Sequence, residues 1–321
     1  MPTFLPRSSR PTTALGLGCA YMTGGFEERH NAQLVRAAFD GGIRHFDVAP
    51  TYGNGMAEAV LGRALAGDRD RCTIATKVGF RRPAVSKAKL AIRGLATPIR
   101  NTFPSLTRRI PAAMAAAPAE RIYTVPFVDA SLTESLRNLR TDYIDLFLLH
   151  EARPEDLTDE LLAYLDRKRS EGVIRATGIA SSVKTALAVG ERFDAVQHAW
   201  SVLDPHPLMS GVCSLTHRSM NPALNKIRSW AVRNPEGAKA FERGTGVAPA
   251  DSQALADALI TSALIANATG VVLASSRNLK RVQRIASLSS FESAGLKSGV
   301  LTDFLSENLG FREQIVREAA I

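Results

Sequence analysis

Short apolar stretches alternate with longer helical patterns along nearly the whole chain, and the order is strand first, helix second. The stretch "ALGLGCA" (14–20) precedes a helical pattern near 28–40, and "RHFDVA" (44–49) precedes one near 56–66. "RCTIATKVG" (71–79) leads through an arginine-rich segment to a helix near 130–140, and "DYIDLFLLHE" (142–151) to one near 154–171. "IRATGIAS" (174–181) is followed by a helix near 182–190, "FDAVQHAW" (193–200) by an irregular stretch. "SGVCSLTH" (210–217) leads to a long loop and a helix near 251–267, and "GVVLAS" (270–275) to one near 278–288. Strands separated by helices pair in parallel, because a crossover must return the chain to the same end of the sheet. Eight such units predict a single (β/α)8 TIM barrel, whose usual core of ~250 residues leaves room for long insertions after strand 3 and around strand 7. A doubly wound open sheet is the alternative.

With 45% hydrophobic and 22% charged residues, the 321-residue chain has enough apolar material for a sizeable core. Cys19, Cys72 and Cys213 are far apart and lack CxxC spacing, which argues against a disulfide framework or a zinc site. No apolar run reaches the ~20 residues of a membrane span, and the first residues lack a signal-peptide core. A reducing cytoplasm is the expected location. The net charge of +9 is concentrated: residues 81–127 hold nine Lys and Arg against Glu120 alone. This basic insertion and the irregular region 203–250 read either as solvated flaps or as a lid and docking surface. Its cations would favour an anionic substrate or a protein partner. Nucleic acid is poorly supported, since the segment has few aromatics and no binding module.

In a parallel barrel, chemistry sits at strand C-termini and in the loops that follow them. The run "GGIRHFDVAPTYGNGMAEAVLGRAL" puts Asp47 at the end of the second strand and Tyr52 in its loop. Lys77 lies near the end of the third strand and His150 closes the fourth, so all four share one face. Each has an ordinary reading, as a helix cap, a packed ring, a solvated amine or a structural donor. Together they pose an acid problem. A free tyrosine, with a pKa of ~10, is a reluctant proton donor near neutrality. A buried ammonium lowers that pKa, and a paired carboxylate keeps the ammonium charged. His150 would either orient a carbonyl oxygen through a hydrogen bond or join the proton transfer. No metal is expected, since the six histidines are scattered without ligand spacing.

The motifs "FDVAPTYGNGMAEAVLGRAL", "ATKVG", "DYIDLFLLH", "IRATGIA" and "VVLASSRNLKRV" together resemble the aldo-keto reductase family. The resemblance covers the whole order of elements and is strongest over 41–79, 130–200 and 260–285. It implies that Asp47, Tyr52, Lys77 and His150 form the family's catalytic tetrad. It further implies reduction of an aldehyde or ketone, or oxidation of the matching alcohol or lactol, by hydride transfer with NADPH/NADP+. NADH/NAD+ is the weaker alternative. "GLGCAY" has Tyr21 where a third glycine would complete a dinucleotide fingerprint, so a Rossmann site is not supported. By resemblance, the nicotinamide carboxamide falls to Gln197 and to Ala180-Ser181 or Ser181-Ser182, where the family has Ser-Asn. His217 or Arg218 replaces the stacking tyrosine, and Ser275, Ser276, Arg277 and Arg281 face the adenosine 2′-phosphate. Tyr21, Met22 and Trp200 are candidate substrate-pocket residues. The alternative is a cofactor-binding regulatory or accessory subunit that uses the basic insertion to hold a partner.

Overall fold

The computed structural model describes residues 3–5, 11–83, 120–289 and 300–318. Eight parallel strands close into a barrel: β1 (Leu15–Gly18), β2 (His45–Asp47), β3 (Thr73–Val78), β4 (Ile144–His150), β5 (Ile174–Ala180), β6 (Ala195–Ala199), β7 (Cys213–His217) and β8 (Val271–Ala274). They run in chain order around the barrel, and β8 pairs back onto β1 through Val272 with Leu15 and Ala274 with Leu17. Every predicted strand lies where the sequence pattern put it. The connecting helices pack outside: α1 (Glu28–Asp40), α2 (Ala57–Ala64), α3 (Val125–Leu139), α4 (Asp159–Ser170) and α5 (Val183–Val189). No helix joins β6 to β7. Residues 200–212 instead run as a strap, where the His206 ring packs at 5.0 Å on that of His198.

Alternation along each strand separates two cores. Leu15, Leu17, Phe46, Ile74, Val78, Phe147, Leu149 and Val196 point outward to the helices. Ala75, Leu146, Leu148, Ala176, Ala180, Ala195, Cys213, Leu215, Val271 and Leu273 fill the barrel's interior. Small residues on β5 leave room for large ones opposite, as barrel layers require: a Cβ on Gly178 would stand 2.5 Å from the Leu148 side chain. Leu5, in the segment that follows Thr3–Phe4, is 1% exposed among these interior residues. Below the mouth, His45 is fully buried with its Nδ1 2.9 Å from Thr73 Oγ1.

The region read as an irregular loop, 203–250, is corrected by the structure, which forms α6 (Ala223–Arg233) and α7 (Pro235–Thr245) before α8 (Ser252–Ala266). The punctuation was present: Pro235 opens α7, where its missing N–H costs nothing, and Gly246 closes it in the left-handed region at φ 70°. Polar, arginine-bearing turns masked an apolar stripe. Trp230 and Phe241 join Phe304 and Phe311 of the C-terminal α10 (Val300–Glu307) and α11 (Leu309–Glu318), with ring centroids 5.5–6.3 Å apart. Between α8 and α10, α9 (Leu279–Leu288) follows β8. Most of the basic insertion falls outside the described residues. Of its cations, Arg81, Arg82 and Arg121 are described.

Candidate active site

Alternation that buries Ala75 brings Lys77 to the same inward face two residues nearer the mouth, beside Asp47 of β2. Lys77 Nζ lies 2.7 Å from both Asp47 oxygens and 3.1 Å from the Val48 carbonyl. From the far wall, Gln197 Nε2 donates to Asp47 Oδ1 at 2.8 Å. Lys77 is 1% exposed. Burial opposes its charge, but Asp47 and Tyr52 outweigh that and hold the ammonium above the usual lysine range. A buried ammonium with its acceptors and its counter-charge both supplied is a fixed cation.

Tyr52 sits over this cation, its ring centroid 4.8 Å from Nζ. It opens a turn in which Gly53, Asn54 and Gly55 all have positive φ, at 57°, 58° and 86°. The Gly53 amide donates to the Ala20 carbonyl, and a Cβ on Gly53 would lie 1.8 Å from the Met22 carbonyl oxygen. Only glycine fits there, because the turn backs directly onto the chain leaving β1. The phenol itself differs from the sequence expectation. Burial pushes the Tyr52 pKa up, and Lys77 draws it back only in part. The neighbouring ammonium was predicted to lower it below a free phenol, but desolvation of the phenolate is the larger effect.

His150 completes the group at the end of β4, edge-on to Tyr52 with ring centroids 6.2 Å apart. Burial first, then Lys77, pushes its pKa down to about 3, so the ring is neutral and one nitrogen is a donor. Two residues that the sequence reading did not single out hold it. Phe80 meets the imidazole edge-on at 5.3 Å, and the Tyr123 hydroxyl donates to the His150 carbonyl. Phe80 immediately precedes the basic insertion and Tyr123 lies near its end. Gly79, at φ 138°, signals the close approach: a Cβ there would stand 2.7 Å from the Tyr123 oxygen.

The remaining candidates ring the mouth. His217 ends β7 half-buried in the field of Asp47 and Lys77, and burial brings its pKa down to about 4. Ser181 Oγ donates to the Ala152 carbonyl, while Ser182 caps α5 by accepting from the Thr185 amide. Ser275 and Ser276 precede α9, whose Asn278 caps the Arg281 amide. Arg277 stacks 5.0 Å from the centre of the Tyr21 ring, which is 57% exposed. Met22 and Trp200 are instead buried in the outer core, Trp200 against the strap near His206 and Pro207. The structure therefore brings Asp47, Tyr52, Lys77, His150, Gln197 and His217 together, while Met22 and Trp200 are almost wholly buried.

A closed parallel barrel with an Asp–Lys–Tyr–His group at its mouth defines the structural class. A family model described as "Aldo/keto reductase family" matches residues 14–208, and the chain belongs to that family. D-threo-aldose 1-dehydrogenase of Pseudomonas sp is 35% identical over 182 residues, covering 54% of this chain and 51% of that protein. The chain thus spans about half the length of that relative. The glycerol dehydrogenase from Gluconobacter oxydans superposes with a TM-score of 0.70 at 18% identity, over 95% of each chain. An aldo-keto reductase from Klebsiella pneumoniae, solved in complex with NADPH, gives 0.60 at 18% identity over 94% of this chain and 92% of that one. Among the described residues, no helix is long and apolar enough to cross a membrane.

Proposed function

We propose that the chain is an NADP(H)-linked reductase of small aldehydes or ketones, also able to oxidise the matching alcohol or lactol. The carrying observation is the Lys77 ammonium, fixed by Asp47 and placed under the Tyr52 phenol beside a neutral His150. Tyr52 donates its proton to the carbonyl oxygen as negative charge develops there. Lys77 stabilises the phenolate left behind, and burial makes that interaction stronger than it is in water. His150, being neutral, orients the oxygen by donating a hydrogen bond and does not compete as the acid. The lactol direction is supported by the likeness to an aldose 1-dehydrogenase.

The mouth fits a nicotinamide nucleotide. Gly18 faces it without crowding, since a Cβ there would make only ordinary van der Waals contact, at 3.7 Å with Ser275 and 3.8 Å with Ala274. Gln197 keeps its carbonyl oxygen free of the Asp47 contact, and Ser181 can still accept a hydrogen bond beside it. Ser276 and Arg281 at the start of α9 combine a helix N-terminus with a guanidinium, the chemistry that holds a phosphate. Bound there, the nicotinamide supplies the hydride. The test is NADPH oxidation by the purified chain across aromatic, aliphatic and sugar aldehydes, with alcohols and NADP+ in reverse. Turnover with any carbonyl substrate that disappears in Tyr52→Phe supports the reading, whereas turnover that survives the substitution overturns it.

A further inference from the structure

The residues leaving β3 and those returning to α3 form a paired neck. Phe80 and Arg121 bridge antiparallel, and the Ile122 amide donates to the Gly79 carbonyl at 2.8 Å. From this neck Arg82 reaches across to the Tyr52 turn. Its Nη1 donates to the Gly55 carbonyl at 3.0 Å, its Nη2 lies 2.5 Å from Glu58 Oε2, and its Nε lies 2.9 Å from Glu134 Oε1. Glu58 is fully buried, and its other oxygen accepts from Thr76 Oγ1 at 2.6 Å. Arg82 and Pro83 also close over Gly55, where a Cβ would stand 3.1 and 3.0 Å from them.

A surface arginine that served only to attract anions would be solvated. Arg82 is 14% exposed and already spans two carboxylates and a carbonyl, so it does not belong to the cationic face of the insertion. What it touches is the turn with three successive left-handed residues, one of them Asn54. Such backbone persists only where its surroundings over-determine it. Ala20 and Met22 hold it on one side. Arg82 holds it on the other, and a planar fork suits this, since its two terminal nitrogens meet the Gly55 carbonyl and Glu58 at once while Glu134 adds its charge beside Nε.

We propose that Arg82 is a positioning residue, acting through Gly55 to hold the turn that presents Tyr52 to Lys77. Its kinetic consequence rests on the function proposed above, while the placement of Tyr52 does not. Arg82→Met alone would leave Glu58 buried and unpaired, so the decisive variant is Arg82→Met with Glu58→Gln, compared with Arg82→Lys. The chain has five tyrosines, and carbon-13 labelling at their Cζ atoms with Tyr52→Phe as the assignment control isolates the Tyr52 signal. In the folded double variant its titration should fall toward the ordinary ~10 of a solvated phenol. Carbonyl-dependent kcat should fall by roughly 10- to 10²-fold, the cost of a catalytic group misplaced by about an ångström, with the KM for NADPH unchanged. Arg82→Lys should restore thermal stability without restoring kcat, since an ammonium can pair Glu58 but cannot reach Gly55 as well. An unmoved Tyr52 titration in a folded double variant overturns the proposal, as does recovery of kcat together with stability in Arg82→Lys. If the parent reduces no carbonyl, the functional reading fails and the titration still decides the role of Arg82.

Discussion

The arc of the mouth formed by β2, β3 and β4 and the arc formed by β8 and the start of α9 obey opposite rules. On the first, Asp47, Lys77, Tyr52 and His150 are largely withdrawn from water, and Lys77 and Asp47 hold each other. On the second, Arg277, Lys280 and Arg281 are exposed, and among the described residues none of them is paired with a carboxylate. Arg284, one turn further on, is paired with Asp257 at 2.8 Å. Groups that must change protonation need a fixed, desolvated setting, because only there do neighbouring charges act with force. Groups that only attract an anion do better in water, where they carry no desolvation cost before it arrives.

The contrast can be broken at its strongest point first. Tyr52→Phe should bind NADPH as the parent does, measured by quenching of cofactor fluorescence, while kcat falls by about 10²–10⁴-fold. Turnover within a few-fold of the parent would remove Tyr52 as the acid. Lys77→Met should be as severe for turnover, and denaturant unfolding should show a loss of about 3–5 kcal/mol, because Asp47 is left as an uncompensated buried charge.

Acid comes next. His45 and His217 are held to about 4 and His150 to about 3, in each case chiefly by burial. The unfolded chain, with ordinary histidines near 6.5, therefore takes up protons between about pH 6.5 and 4, and for His150 down to about 3, that the native barrel refuses. Stability is whole above that window and falls as pH drops through it, on the order of 3 kcal/mol for His45 alone. Urea midpoints at pH 7.5, 6 and 5 should decline, and His45→Gln should flatten the decline. A midpoint independent of pH would contradict the burial of these rings.

The exposed arc should respond more weakly and in a different parameter. Arg281→Ala should raise the KM for NADPH by roughly tenfold, the scale of one charged hydrogen bond, and leave that for NADH nearly unchanged. Parallel losses for both cofactors would remove Arg281 from the phosphate site. The smallest effect sharpens the comparison. Raising ionic strength from about 0.05 to 0.5 M should narrow the Arg281→Ala difference by a few-fold through screening, while the Tyr52→Phe defect stays as large.

The barrel was legible because its signal is periodic and repeated: inward and outward residues alternate on every strand, so errors at one element are corrected by the next. The clustering of Asp47, Lys77, Tyr52 and His150 was legible because the four sit at strand ends or in the loop just beyond, where position alone implies a shared face. Arg82 was not. In the sequence it is one arginine in a basic run, and its meaning lies with Glu58 and Glu134, 24 and 52 positions away. The same applies to Tyr123, whose partner His150 is met only because the neck pairs across the whole insertion. The Tyr52 pKa was misjudged for a related reason: charge neighbours can be read from motifs, but the depth of burial cannot.

Leu5 has a consequence beyond packing. Seated among the interior side chains with Ala75 and Leu146, it stoppers the barrel at the end opposite the tetrad. Among the described residues the barrel interior is thereby closed at that end, a cup and not a tube. On the function proposed above, substrate, product and nucleotide would approach from the other end, where Tyr52 and Lys77 stand.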